Sequence, residues 1–81
     1  MEEEVKILYK LLNHKIFLSQ FPQIRHVAVN QYGSGIDVVF LPAEEFNYSD
    51  YKSIKNSATS LVYELAKMAG ISGLRLSIYP Q

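Results

Sequence analysis

Cysteine is absent from this chain of 81 residues, which removes both a disulfide framework and a thiolate zinc site as sources of stability. Helices and strands must hold the fold, alone or with buried area lent by a partner subunit. An excess of either charge is also lacking. Eight Lys and Arg balance eight Asp and Glu, so no long-range field draws the chain to nucleic acid or anionic lipid. Apolar runs fall well short of the roughly 20 residues that span a bilayer. The opening Met1-Glu2-Glu3-Glu4 is acidic where a secretory signal is basic. These absences point to a cytosolic (cytoplasmic) protein without a membrane partner. A chain this short buries only about 60% of the surface that its unfolded form exposes. The expectation is one α+β domain over residues 1–81, with homodimer formation as a route to more buried area.

Groups for catalysis and metal binding are equally sparse. His14 and His26 are the only histidines, they do not form a helical i,i+4 pair, and no cysteine completes a zinc shell. Glu44 and Glu45 are the one acidic pair outside the N-terminus, in a segment read as a loop, and nothing holds them at a fixed separation in a cleft. Serine does not occur in a nucleophile elbow, and no lysine is flanked by groups that would depress its pKa. No catalytic residue, cofactor or metal ligand is assigned, and the chain is expected not to be an enzyme.

What is present reads as helix, strand, strand, helix, strand. Glu2 to Ser19 carries a helical stripe of Val5, Leu8, Leu12 and Ile16, flanked by Ile7, Leu11 and Leu18. The three glutamates suit the positive end of the helix dipole. Lys15 interrupts the stripe, and Phe21-Pro22 stops the helix. From Ile24 to Tyr32 the period changes to two, with Val27 and Val29 on one face and His26, Ala28 and Asn30 on the other. Tyr32-Gly33-Ser34-Gly35 makes a hairpin turn with glycines at positive-φ positions. The spacing is too short for the Gly-Ser and Asp elements of minimal nucleotidyltransferases, although Tyr32-Gly33-Ser34-Gly35-Ile36-Asp37 superficially looks like them.

The second strand, Ile36 to Leu41, is almost wholly apolar after Asp37 and is expected at the centre of the sheet. The other order, with strand three beside strand one, is the alternative. The second helix starts at an Asn47 N-cap, with Asp50 near the free N–H groups and Phe46 stapled onto Tyr51. Its stripe is Tyr51, Ile54, Ala58, Leu61, Val62, Leu65, Met68 and Ala69. Gly70 caps it, and Ile71 folds back. Leu74 to Tyr79 alternates, with Leu74, Leu76 and Ile78 inward and Arg75, Ser77 and Tyr79 outward.

Two helices with one apolar stripe each most simply cover one face of a three-stranded mixed sheet, a two-layer αββαβ sandwich. The opposite face then lies open. It is expected to carry His26, Ala28, Asp37, Val39, Leu41, Arg75 and Tyr79, a mixture of aliphatic, tyrosine and a few charges that suits protein recognition or self-association. The leading expectation is thus a small non-enzymatic interaction module that works as an adaptor, an inhibitor or an assembly subunit.

Gly70-Ile71-Ser72-Gly73 matches the GxxG string with which K-homology domains clamp a nucleic-acid backbone, though here it leaves a helix and enters a strand. The order of elements resembles the type II K-homology arrangement with its middle helical region shortened. That resemblance implies RNA or other nucleic-acid binding as the alternative function. Apart from that resemblance, the residues themselves offer a nucleic-acid surface: Lys52, Lys55 and Lys67 on the second helix with Tyr63 between them, contacting phosphates and stacking a base.

Overall fold

The computed structural model describes residues 2–44 and 47–81. The proposed staple from Phe46 and one member of the Glu44–Glu45 pair lie outside the described residues. Helix α1 spans Glu2–Leu12, a one-turn helix α2 spans Lys15–Leu18, and strands β1 and β2 are Ile24–Tyr32 and Gly35–Pro42. Helix α3 runs Tyr48–Met68, a 3-10 turn covers Gly73–Arg75, and β3 is Leu76–Tyr79. The sheet order is β1-β2-β3, with β1 antiparallel and β3 parallel to the central β2. This is the α+β class expected: a mixed sheet with the helices on one side, and the more apolar strand in the middle. Among the described residues no helix is long and apolar enough to cross a membrane.

Alternation along the strands decides which side the helices cover. Val27 and Val29 of β1, Ile36, Val38 and Phe40 of β2, and Leu76 of β3 join a single core with Leu8, Leu12, Phe17, Tyr51, Ala58, Val62 and Ala66 of the helices. Each fully buried aliphatic or aromatic side chain in that layer contributes about 1.5–3 kcal/mol. At the far end of α3, Gly70 has φ of 79°, its N–H bonds the Lys67 carbonyl, and the Ile71 N–H reaches Ala66. This reciprocal pair closes the helix and turns Ile71 into the core. At the head of α3 the Asn47 side chain accepts from the Asp50 N–H at 2.9 Å, as its position in the sequence predicts.

Three expectations need correction. The first helix is not continuous to Ser19. It breaks at Asn13–His14, and His14 restarts the short α2 by accepting from the Ile16 N–H through Nδ1 at 3.1 Å. The new helix is out of phase with the old stripe, so Phe17 is buried while Ile16 is 70% exposed. Lys15, the residue that interrupted the stripe, marks this break. On α3, Ala66 is buried and Met68 exposed. Finally, Leu74 does not point inward. Ser72 caps a 3-10 turn through its hydroxyl, the chain winds instead of extending, and Leu74 is 99% exposed.

The break frees Asn13 for a second task. Its carboxamide donates to the Val27 carbonyl at 2.7 Å and accepts from the Val27 N–H at 2.8 Å, acting as one peptide unit of a missing neighbour strand. At its other end α1 places Glu4 3.8 Å from Arg75, just before β3. The helix therefore crosses the sheet diagonally, from the start of β3 to the outer edge of β1. Of the two turn glycines only Gly33 has positive φ. Gly35 is favoured for a different reason, because a Cβ there would stand 3.1 Å from the Arg75 carbonyl oxygen, tighter than side chains usually sit.

Asn13→Ala removes both bonds and leaves a part-buried peptide group of Val27 unpaired. It is expected to destabilise the chain by about 1–3 kcal/mol in urea unfolding. Asn30→Ala, an exposed position on the same strand, is expected to change stability by no more than about 0.5 kcal/mol.

Candidate functional site

Across the uncovered side of the sheet, the strand register aligns side chains in rows. His26 pairs with Leu41, Ala28 with Val39 and Val39 in turn with Tyr79, and Asn30 with Asp37 and Asp37 with Ser77. The half of the face near Pro42 is thus aliphatic and aromatic, while the half near the hairpin turn is polar. His26, Ala28, Asp37, Val39 and Leu41 are all half-buried, and Tyr79 is exposed. Their partial cover comes from neighbours within the sheet and, at His26, from Tyr9 of α1 reaching round the edge of β1; the described helices otherwise pack on the other side.

Of the residues singled out in the sequence for this surface, His26, Ala28, Asp37, Val39, Leu41 and Tyr79 do share it. Arg75 does not. It lies in the 3-10 turn before β3, where its Nε donates to the Ser34 carbonyl at 3.2 Å and its guanidinium meets Glu4 of α1. The alternation extrapolated back from β3 failed there because the backbone is wound, not extended. His26 is also not free. The Tyr9 hydroxyl lies 3.4 Å from its Nε2, and the two rings meet edge to face at 5.6 Å. That contact bends round the edge of β1 and fixes one corner of the face.

Tyr79 is held from behind. The Tyr51 hydroxyl donates to the carbonyl oxygen of Pro80, and the Tyr51 ring packs beside Phe40, so the segment leaving β3 is fastened to α3. Burial, with Tyr48 adding a smaller effect, raises the Tyr51 phenol above its ordinary value of 10.0.

The proposed nucleic-acid strip is arranged differently from an open basic face. Lys52 lies over the Tyr48 ring at 5.3 Å, Lys55 is half-buried, Lys67 is exposed, and the Tyr63 ring rests against Gly73 at 3.3 Å from where a Cβ would stand. Gly70 and Gly73, the ends of the GxxG string, are thus occupied in closing α3 and in seating Tyr63. Among the described residues no three His, Asp or Glu side chains gather as metal ligands.

One feature escaped the sequence reading. Leu11, Ile16, Phe17, Leu61 and Leu65, with His14 and Gln20, line a groove of about 300 Å³ between α1–α2 and α3. It exists because the break at His14 changes the helical phase, for which a periodic stripe gives no signal. No family model, curated protein or solved structure matches the chain.

The raised Tyr51 pKa sets a direction for pH dependence. The folded state holds the phenolic proton more tightly than the unfolded chain, so this contribution is complete below pH 10.0 and is lost as pH rises through the higher folded value. Denaturant unfolding at about pH 8 and about pH 11 is expected to show a loss of stability at the higher pH that is smaller in Tyr51→Phe. An equal loss in both proteins assigns it to other groups.

Proposed function

We propose that this chain is a small non-enzymatic protein-interaction module of the cytoplasm, and that the uncovered sheet face is its docking surface. The observation that carries the reading is the row Ala28–Val39–Tyr79 with Leu41 beside it: aliphatic and aromatic side chains on a face that the described helices leave uncovered. Removing such surface from water contributes about 25 cal/mol per Å². The polar row Asn30–Asp37–Ser77 supplies a rim with donors and acceptors that fix orientation. A second copy is the first occupant, because an 81-residue chain gains most from added buried area. As an adaptor, an inhibitor or an assembly subunit, the module would present the same face.

Nucleic-acid binding through Lys52, Lys55, Tyr63 and Lys67 is the competing function. Against it, Lys52 is engaged over the Tyr48 ring and Tyr63 is seated against Gly73. Titration of a fluorescent oligonucleotide at several salt concentrations is expected to show no binding; tight, salt-dependent binding would overturn the protein-binding reading.

The docking face itself is tested by two adjacent substitutions. Val38 has no exposed surface, so Val38→Asp is expected to unfold the chain. Val39→Asp is expected to retain the far-UV circular dichroism of the wild type and to lose association through the face, read as molecular mass by light scattering at rising concentration. Unfolding by Val39→Asp, or unchanged mass, contradicts the proposal.

A further inference from the structure

Among the described residues, the outer edge of β1 is closed at one point and open at the next two. In an antiparallel ladder the N–H and C=O of a residue point to the same side of the strand, and those of the next residue to the opposite side. Asn13 binds both groups of Val27 from outside, so Val29 and Gln31 also direct theirs outward, away from β2. By then α1 has crossed towards β3, where Glu4 meets Arg75. Asn30, Gln31 and Tyr32 are exposed. Natural edge strands are usually guarded by lysine, proline or a bulge. Here the bulge falls between Ile24 and His26, beyond Asn13, and residues 27–36 contain no charged residue and no proline.

We propose that this open stretch of β1 pairs with the same stretch of a second copy, antiparallel about a two-fold axis through Asn30, so that two sheets join edge to edge. Asn13 selects the register. A pairing centred on Val29 would set Gln31 of the second copy against Val27, whose backbone groups are already bonded. One centred on Gln31 would set Val29 against Gly33, where the chain turns away towards β2. Centring on Asn30 opposes Val29 and Gln31 of the two copies reciprocally and engages every open group. It brings Tyr32, 78% exposed, across from Ala28 of the second copy, and it places no like charges opposite each other. This interface does not depend on the open-face reading. It sets the open faces of both copies side by side in one continuous surface.

Sedimentation velocity and amide hydrogen exchange of the full chain, over a concentration series, test the proposal. Dimerisation is expected to slow exchange at the Val29 and Gln31 amides together. Gln31→Pro removes an outward N–H and leaves the β1–β2 ladder intact, and is expected to weaken this dimer at least about tenfold. Asn30→Lys faces Asp37 within its own chain and its own counterpart across the axis. It is expected to weaken pairing as well, less so in high salt, and it serves if Gln31→Pro fails to fold. Exchange at Val29 and Gln31 that ignores concentration, or dimerisation unaltered by either variant, overturns the edge pairing. Val39→Asp separates the two surfaces. Edge pairing that survives Val39→Asp but not Gln31→Pro supports the proposal, while association lost only with Val39→Asp overturns it and leaves the face reading standing.

Discussion

One-sided layering governs this molecule. The sheet has a side on which alternate residues of every strand meet the helices, and a side on which, apart from the Tyr9–His26 contact at one corner, they meet none of the described ones. With so short a chain there is material for two helices of useful length, and both are spent on the same face. The core formed there, from Leu8 and Leu12 through Val38 to Val62 and Ala66, has no buried charged or polar residue among the described ones. Its stability is thus an apolar packing matter. Polar contacts of Asn13, Tyr51 and Arg75 fix where the layers sit on each other.

Asn13 links these levels. A helix break places its carboxamide beside β1, the bonds to Val27 pin α1 diagonally over the sheet, and the diagonal leaves the hairpin end of β1 without cover. The same residue therefore stabilises the two-layer packing and limits which part of the edge can take another strand. Nearby, Tyr9 of α1 reaches His26 round the same edge, so the helix layer touches the open face at one corner.

Much of this was legible in the residues themselves. Period-two alternation placed Val27 and Val29 opposite His26, Ala28 and Asn30, and the apolar run of the second strand marked it as central. Asn47 and Gly70 bounded α3. What could not be read was non-local. A stripe that runs past Asn13 gives no warning that its carboxamide will bond an edge strand fourteen positions away, although Lys15 was out of place in it. Alternation also continues by chance through Leu74 and Arg75, where Ser72 winds the chain into a turn. For that reason six of the seven residues expected on the open face lie there and Arg75 lies elsewhere. The groove beside Ile16 follows from the same helix break.

The layering itself can be read at the methyl groups. In a dilute sample of the labelled chain with a soluble paramagnetic agent, the account predicts that Val39 and Leu41 methyls relax strongly while those of Val38 and Val27 are untouched. If Val39 and Leu41 prove as shielded as Val38 in the isolated chain, the sheet is covered on both sides and no docking face exists.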